Sequence, residues 1–161
     1  MEKLWAPWRK GYILKKSHKG CFVCQKSKAP SSQDQKNFIL KRTPHSFSVL
    51  NLYPYNSGHL MVLPRRHVPE LERLSDKELL DLIRLVNEMT KLIKKTVKPN
   101  GINLGVNMGR LAGAGLPGHV HIHLVPRWAA DTNFMTVTAE TRVISESLKS
   151  VYGRLKKGLK L

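Results

Sequence analysis

Three histidines at alternate positions, His119, His121 and His123, are the residues of this sequence best suited to chemistry. Side chains of a β-strand alternate between its two faces, so an extended segment would place the three imidazoles on one face and the apolar residues between them on the other. Imidazole transfers protons, binds metals and acts as a nucleophile near neutral pH. The alternative is a half-buried strand whose outer face happens to carry histidine. We favour a functional role, and we expect Pro126 to end the strand.

Cys21 and Cys24 are the only two cysteines, and they are separated by two residues. In a chain expected to be cytoplasmic, this spacing indicates metal binding or redox chemistry rather than a structural disulfide. The spacing does not choose between those two roles.

The charge of the chain is strongly positive, with 28 Lys plus Arg against 11 Asp plus Glu and a formal net charge of +17. Such an excess favours polyanionic partners, which include nucleotides, nucleic acid and acidic lipid head groups. Solubility, or the lysine enrichment of proteins from hot environments, would explain the charge equally well.

The length of 161 residues predicts a single domain over residues 1–161. Residues 1–20 form a basic extension with Trp5, Trp8 and Tyr12, which we expect to dock on the domain or a second subunit rather than stack on nucleic acid. Residues 21–128 are the core, and residues 129–161 add a strand and a helix. The sequence has no apolar run of roughly 18 residues and no signal peptide, which predicts a cytoplasmic protein without membrane contact.

Alternating or short apolar segments predict strands at residues 38–40, 46–52, 59–63, 102–108 and 131–137, with a tight connection at 53–58. Polar residues 25–36 predict a surface loop. A capping box at Ser75 and Glu78 begins the main helix, which ends at residues 99–101. Its apolar stripe, predicted to be core, consists of Leu79, Leu82, Ile83, Leu85, Val86, Met89, Leu92 and Ile93. A second amphipathic helix is predicted over residues 143–155.

Residues 109–118 are rich in glycine and precede the histidine segment. Backbone that approaches an anion closely needs residues without a Cβ, so this loop either lines a phosphate site or is a flexible connection.

The histidine segment, residues 119–125, resembles the signature of the histidine triad superfamily, and residues 51–67 resemble the other signature region of that superfamily. Within that superfamily, the sequence is most similar to bacterial diadenosine tetraphosphate phosphorylase-type members. The residues that carry this similarity are the run Trp5-Ala6-Pro7-Trp8-Arg9, residues 126–128, Asp131, Asn133 and Phe134. The resemblance implies an α+β fold in which one long helix and a C-terminal helix pack on an antiparallel sheet. It also implies a homodimer with paired sheets.

The resemblance implies a role for each histidine of the catalytic set. His121 would attack the α-phosphorus of a dinucleoside polyphosphate such as diadenosine tetraphosphate, and water or orthophosphate would displace the nucleotidyl-histidine. His123 would bind phosphate or assist the leaving group, and His59 would orient the nucleophile side or contact phosphate. The alternatives are hydrolysis of a nucleoside phosphoramidate and, from another class, a non-catalytic module that binds nucleotides or nucleic acid.

Substrate contacts also follow from the resemblance. Asn51 would bind the ribose hydroxyls, and Val49 and Met61 would flank the base, most simply adenine. Gly115 stands where many relatives carry glutamine or serine, so phosphate contact would come from backbone N–H groups of the glycine loop or from Asn107.

Zinc-bearing relatives surround one metal with residues that correspond here to Cys21, Cys24, His67 and His119. Such a Cys₂His₂ set is a closed, structural zinc site. The alternative is a reduced thiol pair with His67 merely exposed. His18 and His45 are interpreted as surface residues.

Overall fold

The structure is a computed structural model, and it describes residues 20–129, 131–132 and 144–160. Five antiparallel strands form one sheet in the order β1-β2-β3-β5-β4. The elements along the chain are α1 (Phe22–Lys28), α2 (Asp34–Asn37), β1 (Ile39–Arg42), β2 (Ser46–Leu50), β3 (Leu60–Pro64), α3 (Asp76–Val97), β4 (Gly101–Val106), β5 (Ile122–Arg127) and α4 (Leu148–Gly158). This architecture confirms the predicted α+β class. Among the described residues, none of the helices has the length and apolar character needed to cross a membrane.

Strand alternation divides the apolar residues between the two faces of the sheet. On one face, Leu60, Val62 and Leu124 pack with α3 and α4 in the larger core. On the other face, a smaller core joins Val49 and Leu63 to α1, and Met61 packs at its edge. Met61 pairs with His123 across the β3–β5 ladder, so the histidine cluster lies on the face opposite α3 and α4.

The main helix, α3, begins as the sequence predicts, with Ser75 and Glu78 completing the capping box. Six of the eight stripe residues are buried. Leu79 and Ile83 are not, because they are 39% and 43% exposed, and the prediction that they belong to the core is wrong. The apolar stripe is wider than the face of the helix that the sheet covers.

The histidine segment is less regular than predicted, since β5 begins at Ile122 and includes only His123 of the three. The N–H of Val120 donates to the carbonyl of Val68 at 2.7 Å, which holds this part of the segment against the chain before α3 instead of in the sheet. Pro126 lies inside β5 rather than at its end. It is tolerated there because the β3 ladder stops at Leu124.

The predicted surface loop at residues 25–36 is also wrong, because this segment contains the end of α1, a 3₁₀ turn and α2. Arg42 orders it by forming an ion pair with Asp34 and donating to the carbonyls of Lys26 and Ser27. The C-terminal helix starts at Leu148, where Ser147 accepts a hydrogen bond from the N–H of Ser150. Some predicted features lie outside the described residues: the aromatic extension, His18, Asn133, Phe134 and most of the strand predicted at 131–137.

Candidate active site and metal centre

One row of paired residues across the sheet includes His123 of the histidine cluster. Val49 pairs with Met61, Met61 with His123, and His123 with Gly105, so these residues lie side by side across four strands. His121 stands immediately before β5, and its ring lies 4.7 Å from the ring of His123 in an edge-to-face arrangement. The sheet therefore brings His121 and His123 together beside the two apolar residues expected to flank a base.

His59 precedes β3 and is completely buried. Its Nδ1 accepts a hydrogen bond from the backbone N–H of Tyr55 at 3.0 Å and lies 3.3 Å from the side-chain nitrogen of Asn51. Because Nδ1 is an acceptor, the proton of the neutral ring resides on Nε2, which donates to Nδ1 of His123 at 2.9 Å. His123 in turn must carry its own proton on Nε2. The hydrogen bond from the N–H of Tyr55 thus leaves His123 with a donor at its Nε2.

The buried histidine pair is held in the uncharged state. Burial, together with the nearby imidazoles of His123 and His121, lowers the pKa of His59 to about 3. Burial and His121 lower the pKa of His123 to about 4. Both rings are therefore neutral near pH 7, as the hydrogen-bond chain requires.

His121 is fixed by a different contact. Its Nδ1–H donates to the backbone carbonyl of His119 at 2.9 Å. A neutral imidazole protonated on Nδ1 has its lone pair on Nε2, so Nε2 is the nitrogen able to attack an electrophile. The site thus combines a nucleophilic nitrogen on His121 with a proton-donating nitrogen on His123.

The four predicted metal ligands, Cys21, Cys24, His67 and His119, lie together, with ligand atoms that are all within 4.8 Å of one another. Cys21 caps α1 and Cys24 lies in the first turn of that helix. Val68, next to His67, accepts the hydrogen bond from Val120, next to His119, and this contact holds the two imidazoles 5.3 Å apart. Chain segments far apart in sequence thereby converge on one point.

Distances between the ligand atoms fit a tetrahedral zinc ion. Nδ1 of His119 lies 3.5 Å from the sulfur of Cys21 and 3.6 Å from that of Cys24, and Nδ1 of His67 lies 3.4 Å from the sulfur of Cys24. Tetrahedral zinc with ordinary Zn–S and Zn–N bonds separates sulfur and nitrogen by about 3.5 Å. His119 also donates its Nε2–H to the carbonyl of Pro64 at 2.8 Å, as a metal-bound histidine commonly does.

The predicted substrate residues occupy two places. Asn51, Val49 and Met61 border the histidine cluster, and Asn51 accepts the N–H of Tyr53 at 2.9 Å. Asn107 and Gly115 lie in the connection between β4 and β5, where the side chain of Asn107 donates to the carbonyl of Gly113 at 3.4 Å. That contact closes the glycine loop on itself. His59, being buried with both ring nitrogens engaged, is placed to orient His123 rather than to contact phosphate. His45 is exposed, as predicted.

Sequence reasoning missed two residues that support the site, Tyr55 and Asn56. Tyr55 stacks over His59 at 4.7 Å in addition to its backbone hydrogen bond. Asn56, which is buried, donates to the carbonyl of Pro126 and to Asp131, whose carboxylate also pairs with Arg127. The sequence signal available was an asparagine two residues before Gly58, but the partner of Asn56 is 75 residues away.

The fold and the histidine site define a histidine triad protein, and the chain belongs to the HIT domain family, whose match covers residues 32–130. An AP-4-A phosphorylase of Mycobacterium tuberculosis is 38% identical over 155 residues, which cover 92% of this chain and 80% of the relative. An adenosine 5'-monophosphoramidase of Candida albicans is 32% identical over 117 residues, covering 69% of this chain and 72% of that protein. A Zn-bound histidine triad family protein from Mycobacterium smegmatis superposes with a TM-score of 0.69 at 19% identity, covering 88% and 94% of the two chains.

Proposed function

We propose that the protein is a nucleotidyl-transferring enzyme that cleaves dinucleoside polyphosphates, such as diadenosine tetraphosphate, through a covalent nucleotidyl-histidine. The observation that carries the proposal is the hydrogen bond from His121 Nδ1 to the carbonyl of His119, which leaves Nε2 free to attack. The 38% identity to an AP-4-A phosphorylase over most of both chains supports the choice of substrate.

The reaction consists of two half-reactions. Nε2 of His121 attacks the α-phosphorus of diadenosine tetraphosphate, the bond from that phosphorus to the bridging oxygen breaks, and ATP leaves. His123 donates its Nε2–H to the departing or bound phosphate oxygens. An oxygen of orthophosphate then attacks the adenylyl-histidine to give ADP, or water attacks to give AMP, and either step restores the free imidazole of His121.

The experiment is a product analysis with and without orthophosphate. We expect ATP and ADP when orthophosphate is present, and ATP and AMP if water is the acceptor. Replacing His121 with alanine should reduce kcat by at least about 10³-fold, because the covalent route is removed. His45→Ala removes an exposed histidine and is the matched control. Retained cleavage by a correctly folded His121→Ala variant would contradict the mechanism.

Hydrolysis of a nucleoside phosphoramidate is the second candidate function, and the hydrogen-bond donor on His123 supports it as well. An amine leaves phosphorus only after protonation, and the His59 to His123 hydrogen bond presents a protonated Nε2 where such a leaving group would depart. A relative named as an adenosine 5'-monophosphoramidase shares 32% identity. Comparison of kcat/KM for an adenosine phosphoramidate and for diadenosine tetraphosphate separates the two substrates.

We further propose that zinc occupies the Cys₂His₂ cluster as a structural ion. The sulfur–nitrogen distances support this assignment, and four protein ligands leave no position for substrate. Thiolate ligands must stay reduced, which is why we place the protein in the cytoplasm.

A homodimer in which two sheets pair is the proposed assembly. Among the described strands, β4 is at the edge of the sheet, and its residue Leu104 is 54% exposed. An exposed edge strand with apolar side chains is normally covered, and a second copy would cover it by continuing the sheet.

A further inference from the structure

A basic groove runs between the C-terminal half of α3 and the helix α4. Lys95 lines one side of this groove, Lys149, Arg154 and Lys157 line the other, and the groove encloses about 580 Å³. Further exposed lysines lie in or next to the same two helices, namely Lys91, Lys94, Lys98 and Lys160.

Acidic residues are absent from both segments that build the groove, residues 89–98 and 147–160. Within the described part of the chain, Arg154 pairs with Glu146, and this is the one ion pair that the four charged residues of the lining form. The groove therefore places four cationic side chains on one concave surface, where charges of one sign reinforce each other's attraction for an anion.

The groove has no access to the proposed catalytic site. Helices α3 and α4 pack on the face of the sheet that carries Leu60, Val62 and Leu124. His123 projects from the opposite face, beside Met61. The charge in the groove is thus separated from the nucleotide site by the whole thickness of the sheet, and substrate binding there does not account for it.

We propose that the basic groove binds the sugar-phosphate backbone of nucleic acid without reading its sequence. A helix of 11 residues extends about 16 Å, which corresponds to four or five phosphates of one strand in a duplex. The lining offers cationic side chains and no exposed aromatic side chain, since Tyr152 of α4 is buried. Backbone contact without base stacking is the mode that this chemistry allows.

A membrane surface fits the groove less well. Helices that lie on membranes insert large apolar side chains beside their basic residues. The exposed large apolar residues of the described chain lie elsewhere, for example Leu79 and Leu104, and none of them lines the groove. The concave shape also suits the sugar-phosphate backbone of one nucleic-acid strand better than a flat lipid surface.

The test compares two triple variants that have the same net charge. K95E/K149E/K157E reverses the groove, whereas K36E/R65E/K77E reverses three exposed cations elsewhere. Binding of a 20-base-pair fluorescent duplex of random sequence is measured by anisotropy at several salt concentrations. For the unmodified protein, the logarithm of the binding constant should fall with that of salt with a slope of about −3 to −4.

The groove variant should bind at least about tenfold more weakly with a shallower salt slope, whereas the control variant should change less than about threefold. A K95Q/K149Q/K157Q variant, which perturbs the helix ends less, should show the same ranking if the glutamate variant does not fold. Equal losses in the two triple variants, or no binding by the unmodified protein, would overturn the proposal. It would also be overturned if the groove variant lost binding to phosphatidylserine vesicles but kept duplex binding. Cleavage of diadenosine tetraphosphate should persist in the groove variant, so this outcome is independent of the proposed function.

Discussion

At the scale of single residues, the proton positions of the site are set by the backbone. The N–H of Tyr55 and the carbonyl of His119 each occupy one ring nitrogen, of His59 and His121 respectively. Neither group depends on side-chain identity, so the path of the chain fixes which ring nitrogen of each histidine carries the proton. In the proposed mechanism His59 is a positioning residue, because its Nε2 contacts His123.

Burial of His59 makes stability depend on pH. Its pKa is about 3 in the folded protein and about 6.5 in an unfolded chain, so between these values the unfolded state binds a proton that the folded state does not. This contribution is complete above pH 6.5 and is lost as pH falls. The free energy of unfolding should decrease by roughly 2 kcal/mol for this histidine between pH 7 and pH 5.

Urea unfolding at the two pH values measures this effect. The His59→Asn variant should be less stable at pH 7 but should lose about 2 kcal/mol less than the unmodified protein on going to pH 5. His45→Asn, at an exposed position, should keep the full difference. An unchanged pH dependence in His59→Asn would show that His59 is not the titrating group.

At the scale of elements, the contact between α3 and α4 depends on a glycine. A Cβ built on Gly158 would lie 2.2 Å from Cγ2 of Thr96 and 2.9 Å from Leu92. The hydroxyl of Thr96 donates to the carbonyl of Leu92 at 2.7 Å, which holds the threonine side chain in place. The two helices can approach this closely only where the residue has no side chain.

Two substitutions on α4 should therefore have opposite effects. Gly158→Ala should destabilise the protein by about 1–3 kcal/mol through overpacking. Gly153→Ala, where a Cβ would meet no atom within 4 Å, should stabilise it by roughly 0.5–1 kcal/mol because alanine favours the helix. Thermal and urea unfolding of both variants give the comparison, and equal effects would contradict the packing argument.

Edge strand β4 leads to a prediction about assembly. Leu104→Lys should convert a dimer into a monomer, because a charge on the apolar edge opposes sheet pairing. Lys77→Glu changes an exposed charge on α3 and should leave the molar mass of the assembly in solution unchanged. Light scattering coupled to size exclusion distinguishes the two states. A Leu104→Lys dimer as stable as the original would exclude this edge as the interface.

The elements that could be predicted from sequence are those with strong local signals. The capping box at Ser75 fixed the start of α3, and alternation located the strands to within a few residues. Contacts across long separations could not be predicted, including the hydrogen bond from Val120 to Val68 that delays the start of β5 to Ile122 and the Arg42 contacts that order residues 26–34. Exposure of Leu79 was also missed, because periodicity reports an apolar face but not what covers it.

At the scale of the whole molecule, the proposed zinc ion would join three parts of the chain: α1, the segment before α3 and the histidine segment. An ion bound only by the folded state adds its binding free energy to stability. We expect purified protein to contain about one zinc per chain. A chelator should lower the melting temperature, whereas Cys21→Ala should have a low melting temperature that the chelator does not change. Protein without zinc and insensitive to chelator would refute the assignment.

The side chain and the backbone of His119 make different contacts. Its imidazole lies in the Cys₂His₂ cluster, whereas its carbonyl oxygen accepts a hydrogen bond from Nδ1–H of His121. Every amino acid has that carbonyl, so His119→Ala would remove one ligand of the proposed zinc ion and keep the hydrogen-bond acceptor of His121. A single substitution at this position therefore separates the proposed metal site from the proposed chemistry at His121.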